Sequence, residues 1–284
     1  MRLRAALTVA FIALSASVSA SESTPAKVKS PTWERDYKTA LARAKREKKI
    51  VMVDFWASWC TYCEKLDHTT YADPRVIARL AKTTVPVKVN TEGRRDEMEL
   101  ADLHGIEGLP TIGFFTSEGH MVSRIGGYVD ADAFLARLTT TELDGADMSD
   151  WERRLAASPS DYQALFGLSS RLYELEYSDD ARPLLERALK IDSGTLAERK
   201  RVRMMLARII ERSTSVADSE ALLRQAISLP ADADMDPRLK FLLARCLIQT
   251  RRADEGKAIL KQLVVDYPKH PVTTPAREAL AGLK

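Results

Sequence analysis

The sequence predicts an α/β domain followed by an all-α domain of helical-hairpin repeats, and three observations carry that prediction. Up to about residue 138, apolar β-rich runs alternate with stretches of helical periodicity. Beyond residue 150 only helical periodicity remains, and small and large residues recur there at intervals of 37 to 38 positions. A chain of 284 residues is long enough to bury two cores. With 45% hydrophobic and 29% charged residues, the composition is that of a soluble globular protein, neither disordered nor membrane-spanning. Lys and Arg (43) nearly balance Asp and Glu (40) and are spread along the chain, which argues against a nucleic-acid partner.

At the N-terminus, Arg2 and Arg4 precede an apolar run from Ala5 to Leu14 and the small-x-small site Val18-Ser19-Ala20. This pattern predicts a secretory signal over 1–20, cleaved after Ala20. The alternative, an uncleaved anchor, is disfavoured because the apolar core falls short of the roughly 20 residues a bilayer requires. The expected mature protein is periplasmic or secreted, without stable membrane insertion after cleavage, and works where thiols tend to oxidise. A Ser/Pro/Lys leader follows over 21–31.

The α/β domain is expected over 32–138. Trp33, Tyr37, Ala40, Leu41 and Ala44 recur at helical spacing, and Ile50 to Trp56 is a continuous apolar run of the kind found in a central strand. A helix starts near Cys60, and Asp73-Pro74 supplies an N-cap and first-turn proline for the next. Val85 to Val89 reads as a strand and Asp96 to Leu103 as a helix. Thr111 to Phe115 and Met121 to Ile125 read as strands joined by a turn at Ser117 to His120, and Asp130 to Leu138 closes the domain as a capped helix. The polar stretch 139–150 is expected to be a linker.

Residues 151–284 are expected to be helical throughout. Ala181, Ser219 and Gly256 fall in one column of the self-alignment; Leu185, Leu223 and Leu260 in a second; Ala188, Ala226 and Leu263 in a third; Ser169, Ala207 and Ala244 in a fourth. Small residues recur where two helices must approach closely. The pattern resembles the tetratricopeptide repeat, and Pro268 matches that family's proline in the third unit only. Each column residue taken singly is core packing; the stacked array is what creates a concave surface able to hold a client protein.

Three cysteines are too few for a disulfide scaffold, and the Cys60-x-x-Cys63 spacing turns attention to redox or metal chemistry. At the start of a helix, free backbone N–H groups and the positive end of the dipole stabilise a thiolate, so Cys60 is the candidate nucleophile, expected to sit exposed. Cys63, one turn on, is placed to attack a mixed disulfide at Cys60 and release the product. Half of a zinc site is the rival reading, but the chain has no second Cys-x-x-Cys, only Cys246 and four scattered histidines, and no metal or cofactor is expected. A purely structural disulfide is a further alternative, though so small a loop would constrain little of the unfolded chain.

The segments Val53-Asp54-Phe55-Trp56-Ala57-x-Trp59-Cys60-x-x-Cys63 and Gly105-Ile106-x-Gly108-Leu109-Pro110-Thr111 together resemble the thioredoxin superfamily across Trp33 to Leu138. Thr70-Tyr71-x-Asp73-Pro74-x-Val76 is most similar to the C-terminal periplasmic domain of the DsbD reductases. The resemblance implies a thioredoxin fold and a redox disulfide between Cys60 and Cys63. It implies that Asp54 is the buried aspartate that exchanges a proton with Cys63, and that Lys88 is the lysine pairing with it. It further implies that Leu109 and Pro110 form the cis-proline loop that binds an extended substrate, with Trp59 in the apolar docking rim. Simpler readings stand beside these: Asp54 bonding local backbone, Lys88 solvated on its strand, Trp59 a partly buried core aromatic. His68 reads as a surface residue, and Cys246 as a small buried hydrophobe.

The expected function is that of an extracytoplasmic thiol-disulfide oxidoreductase acting on protein disulfides, in the reducing direction implied by the DsbD resemblance. It would require an external electron donor or acceptor protein. The alternative is a partner-binding assembly or scaffold protein, in which the helical repeats hold one client and the thioredoxin-like domain serves its maturation.

Overall fold

The computed structural model describes residues 30–213 and 215–283. The expected signal over 1–20 and most of the expected leader over 21–31 lie outside the described residues. A four-stranded sheet forms from β1 (Ile50–Trp56), β2 (Thr84–Asn90), β3 (Thr111–Phe115) and β4 (Met121–Gly126), in the order β2-β1-β3-β4. Strand β1 runs parallel to β2 and antiparallel to β3, and β3 pairs antiparallel with β4. Six of the seven residues of β1 are buried, as its unbroken apolar run requires of a strand covered on both faces.

Local chemistry sets the helices around this sheet. Helix α1 (Tyr37–Glu47) begins at Asp36, whose carboxylate accepts the Thr39 N–H, so Trp33 lies ahead of the helix and packs edge-on against Tyr71 at 5.3 Å. Helix α2 (Thr61–His68) leaves the end of β1. Helix α3 (Pro74–Thr83) has the Asp73 cap and first-turn proline read from the sequence, and α4 (Arg95–Leu103) leads toward the loop before β3.

The expected linker at 139–150 is not a linker. Helix α5 runs unbroken from Ala131 to Ala157, 27 residues, starting at the Asp130 cap. Its inward stripe of Leu138, Thr141, Gly145 and Met148 follows helical spacing, but Thr and Gly give that stripe a weak apolar signal and the outward face is polar. Gly145 is required by close approach: a Cβ there would come within 2.7 Å of Ile50 Cγ2. The second half of α5 packs against α6 (Tyr162–Glu174), so the two halves of the chain share one core, in which Val122, Phe134 and Leu138 join Leu168, Leu185 and Met205.

The remaining helices are α7 (Ser178–Ile191), α8 (Leu196–Ser213), α9 (Val216–Ser228), α10 (Met235–Gln249), α11 (Ala253–Asp266) and α12 (Thr273–Gly282). They stack as hairpins, and the four sequence columns map onto them directly. Ser169, Ala207 and Ala244 lie on the first helix of successive hairpins, and the other three columns on the second helix. Every column residue is buried. At Gly256 a Cβ would come within 2.8 Å of the Ala244 carbonyl oxygen, the close helix crossing that the small residues permit. Pro268 follows the end of α11.

Polar contacts fasten the two halves to each other. Arg171 on α6 donates to Asp144 on α5 (2.6 Å), and Tyr177 from the α6–α7 turn donates to Met121 Sδ (3.2 Å) and lies 3.2 Å from His104 Nδ1. Glu152 on α5 accepts from Thr116 (2.6 Å) and pairs with His120 (2.7 Å). The Glu152 hydrogen bond holds His120 above the usual histidine range, against the opposing effect of burial. A histidine whose pKa is raised on folding stabilises fully below its unfolded value of about 6.5, and that contribution is lost as pH rises through the raised value. The stability gap between wild type and His120→Gln should therefore be about 1 kcal/mol at pH 6 and shrink by pH 9. Urea denaturation across that range checks this; a gap independent of pH would contradict the assignment.

Candidate active site

Strand β1 ends at Trp56, and the short turn Ala57-Ser58-Trp59 delivers Cys60 to the N-cap of α2. There the Cys60 sulfur accepts the Cys63 backbone N–H at 3.1 Å, occupying the place of the oxygen that usually caps a helix. An acceptor at that point is favoured when negatively charged, which is the physical basis for a nucleophilic thiolate. Cys60 and Cys63 are joined by a disulfide, with Cα atoms 5.3 Å apart. The expectation of an exposed Cys60 needs correction: the residue is 6% exposed and Cys63 2%. The neighbouring side chains stand out into solvent instead, Trp59 at 64% and Tyr62 at 59%. Trp59 is thus not a core aromatic; its indole N–H donates to Glu92 (2.8 Å).

Asp54 lies on β1 opposite Lys88 of β2 and Ile112 of β3, and it is fully buried. Its carboxylate accepts from Lys88 Nζ (2.9 Å) and from the Tyr71 hydroxyl (3.3 Å), so it is not bonding local backbone. Burial raises its pKa above the ordinary aspartate value, although Lys88 and Tyr71 act in the opposite direction. Lys88 also reaches Asp67 on α2 (2.7 Å), and it faces the rings of Trp33, Trp56 and Tyr71. Burial acts to lower the Lys88 pKa, but the two carboxylates outweigh it and hold it above the usual lysine value. Lys88 is therefore engaged, not solvated. Asp67 is four residues beyond Cys63 and shares its helix face, so the chain Asp54–Lys88–Asp67 ties the buried strand to the cysteine helix.

The Leu109–Pro110 peptide bond is cis. Thr111 pairs with Phe55, which sets Pro110 at the same end of the sheet as the cysteine turn. The Pro110 carbonyl accepts from Gly127 N (2.8 Å), binding this loop to the end of β4. On the other side of the cysteines, Tyr62 and Tyr128 have ring centroids 6.4 Å apart, and Lys65 Nζ lies 4.0 Å from the centre of the Tyr128 ring. His68 is exposed, and Cys246 is buried in the repeats, 3.6 Å from the Ser219 hydroxyl.

Of the residues proposed from the sequence, the fold places Cys60, Cys63, Trp59, Leu109 and Pro110 at one end of the sheet and Asp54 and Lys88 two residues inside that end. Sequence reading missed Asp67, Glu92 and Tyr128, and it gave Tyr71 no part. A Cys63-plus-four spacing was the available signal for Asp67; the others depend on contacts distant in sequence.

Residues 37–142 match the thioredoxin-like domain family, and residues 215–272 match the tetratricopeptide repeat family. The thiol:disulfide interchange protein DsbD of Vibrio vulnificus (strain CMCP6) is 37% identical over 100 residues, 34% of this chain and 17% of that protein. Its counterpart in Salmonella typhimurium (strain LT2) is 39% identical over 101 residues, 35% and 18% of the two chains. The match therefore spans less than a fifth of these relatives. The solution structure of a thioredoxin from Thermus thermophilus is 28% identical with a TM-score of 0.38, covering 41% of this chain and 90% of that one. The chain carries a thioredoxin-like domain with a Cys-x-x-Cys pair, joined to a tetratricopeptide-repeat region.

The raised pKa of Asp54 has a consequence for stability. The folded state holds its proton more tightly than the unfolded state, so ionisation costs stability as pH climbs from about 4 through the raised value. Asp54→Asn removes that cost and leaves Lys88 paired with Asp67. The variant should gain roughly 1–3 kcal/mol over wild type at pH 8 and little at pH 4. Urea midpoints at several pH values decide it: an advantage that does not grow with pH would contradict the buried-carboxylate account.

Proposed function

We propose that this protein is an extracytoplasmic thiol-disulfide oxidoreductase that reduces disulfides in protein substrates. The observation that carries the reading is the Cys60 sulfur at the α2 N-cap, accepting the Cys63 N–H and linked to the Cys63 sulfur. In the reduced enzyme, the Cys60 thiolate attacks a substrate disulfide. A mixed disulfide forms, and the first substrate sulfur leaves as a thiol after taking up a proton. Cys63, losing its proton toward the Asp54 carboxylate, attacks the Cys60 sulfur and expels the second substrate thiol. Two electrons pass to the substrate and the Cys60–Cys63 disulfide is left. Lys88 and Asp67 position the Asp54 carboxylate, and Trp59, Leu109 and Pro110 bind the substrate beside the cysteines. An external donor protein restores the dithiol.

Thiol-disulfide exchange draws support from 37–39% identity to proteins named for thiol:disulfide interchange, and the reducing direction follows the motif resemblance at Thr70 to Val76. The location outside the cytoplasm rests on the signal-like residues 1–20. A second reading, a scaffold in which the repeats hold one client while the thioredoxin-like half matures it, is favoured by the buried repeat columns of α6 to α11.

Cys60→Ser should abolish reduction of insulin disulfides, and Cys63→Ala should accumulate a mixed disulfide with substrate, detected by mass spectrometry. A Cys60→Ser strain with an intact phenotype, lost only on deletion of residues 151–284, would favour the scaffold. Redox titration should give a potential in the thioredoxin range, about −270 mV, and a value near the −120 mV of strong oxidants would overturn the direction. Asp54→Asn should slow resolution by Cys63 about a hundredfold or more, the usual range for general base catalysis, and slow the Cys60 attack less. Equal slowing of both steps in stopped-flow tryptophan fluorescence would remove the proton-transfer role.

A further inference from the structure

Tyr71 lies in the turn between α2 and α3, and its side chain is fully buried. Its ring is fixed from several sides. The Tyr71 N–H donates to the Leu66 carbonyl (2.9 Å), and the Thr70 hydroxyl ties the same turn to the Val129 carbonyl (2.5 Å). The rings of Trp33 and Phe134 meet the tyrosine edge-on at 5.3 and 6.2 Å. Phenylalanine would fill this space equally well, so packing does not account for the oxygen. A buried hydroxyl costs stability unless it is hydrogen-bonded, and among the described residues this one has a single partner, Asp54 Oδ1 at 3.3 Å.

The two oxygens of Asp54 meet different chemistry. Oδ2 faces Lys88 Nζ at 2.9 Å. Although burial opposes it, Asp54 and Asp67 hold that ammonium above the usual lysine range, so it has only hydrogens to offer. A proton arriving on Oδ2 would meet a second donor. Oδ1 faces a phenol, which donates in one rotation and accepts in the other. Burial holds the Tyr71 hydroxyl well above the usual tyrosine range, so it keeps its proton and acts by turning. The other charged neighbour, Asp67 on α2, repels negative charge on Asp54, and β3 presents the apolar Ile112.

We infer that Tyr71 is a positioning residue of the resolution step: its hydroxyl donates to Oδ1 while Asp54 awaits the Cys63 proton, and turns to accept from Oδ1 once the proton has arrived. The inference rests on the proton-transfer reading of Asp54 given above. In that step the Cys63 S–H bond breaks and an O–H bond forms on Oδ1. The electron pair left on the Cys63 sulfur closes the bond to Cys60, and the substrate sulfur departs with the pair of the broken mixed disulfide. Turning leaves the hydroxyl hydrogen without a partner among the described residues. Tyr71 therefore favours the ionised carboxylate, against the burial that favours the neutral one. At a given pH more of the enzyme is thereby ready to accept the Cys63 proton.

The test uses the full chain and Tyr71→Phe, which keeps the ring and removes only the oxygen; far-UV circular dichroism checks its fold. Difference infrared spectroscopy of the oxidised protein follows protonation of the Asp54 carboxyl, with Asp54→Asn as the control that identifies the band. The midpoint should move to higher pH in Tyr71→Phe. The pre-reduced proteins are then mixed with a peptide disulfide in stopped-flow tryptophan fluorescence. Below the wild-type midpoint, resolution by Cys63 should slow about tenfold in the variant, the effect of losing one hydrogen bond to a carboxylate. Above the variant's midpoint the two rates should agree within about twofold, because Asp54 is ionised in both. The Cys60 attack should not change at any pH, and adding Tyr71→Phe to Asp54→Asn should slow resolution no further. A carboxyl midpoint left in place, or slowing by one factor at every pH, overturns the inference. Exchange intact with an unmoved midpoint sinks the role of Tyr71 alone. A moved midpoint in a protein that reduces no disulfide sinks the redox reading and leaves the coupling of Tyr71 to Asp54 standing.

Discussion

Much of this molecule depends on a sulfur atom placed where a helix normally has an oxygen. Cys60 is delivered to the first turn of α2 by the buried strand β1, and its Sγ accepts the Cys63 N–H. A helix start leaves backbone N–H groups without partners, so whatever occupies the cap is stabilised in proportion to its negative charge. The rest of the site follows from that placement. Cys63 is one turn along, Asp67 is one turn further, and Lys88 connects Asp67 to the carboxylate buried inside the sheet.

The cost of that arrangement is concentrated in Asp54. A carboxylate with no solvent contact at the centre of a four-stranded sheet is tolerated only because Lys88 and the Tyr71 hydroxyl reach it. Three aromatic rings surround the lysine ammonium, so the pair is enclosed by groups that favour the cation while excluding water. Placing an ionisable group in such an enclosure beside a cysteine helix sets its proton affinity by burial first and by partners second.

Most of the fold was legible in the sequence because its signals are local. The Asp73-Pro74 cap, the Asp130 cap and the unbroken apolar run of β1 each specify their element within a few residues. The repeat columns were legible because close helix crossings demand small side chains at fixed intervals. Helix α5 was misread where its buried stripe passes through Thr141 and Gly145, residues whose inward placement is decided by Ile50 and Ser123 from the sheet. The candidate site divides the same way. Cysteine spacing and a lone acid in an apolar strand stand out by themselves. The Lys88–Asp67 bond needs α2 laid over β2, and the His104–Tyr177 contact joins positions 73 apart. The buried Lys200–Asp236 ion pair between α8 and α10 has no sequence signature for the same reason.

Helix α5 is continuous through both halves, about 40 Å of rod at 1.5 Å per residue, and its flank is packed into a core that both halves build. No hinge separates the repeats from the cysteines along that rod. Under the scaffold reading, a client held by the helical array would have to bring its own sulfur across a fixed gap, using slack in its own backbone. The scaffold would act as a ruler, admitting clients by the length of their tether.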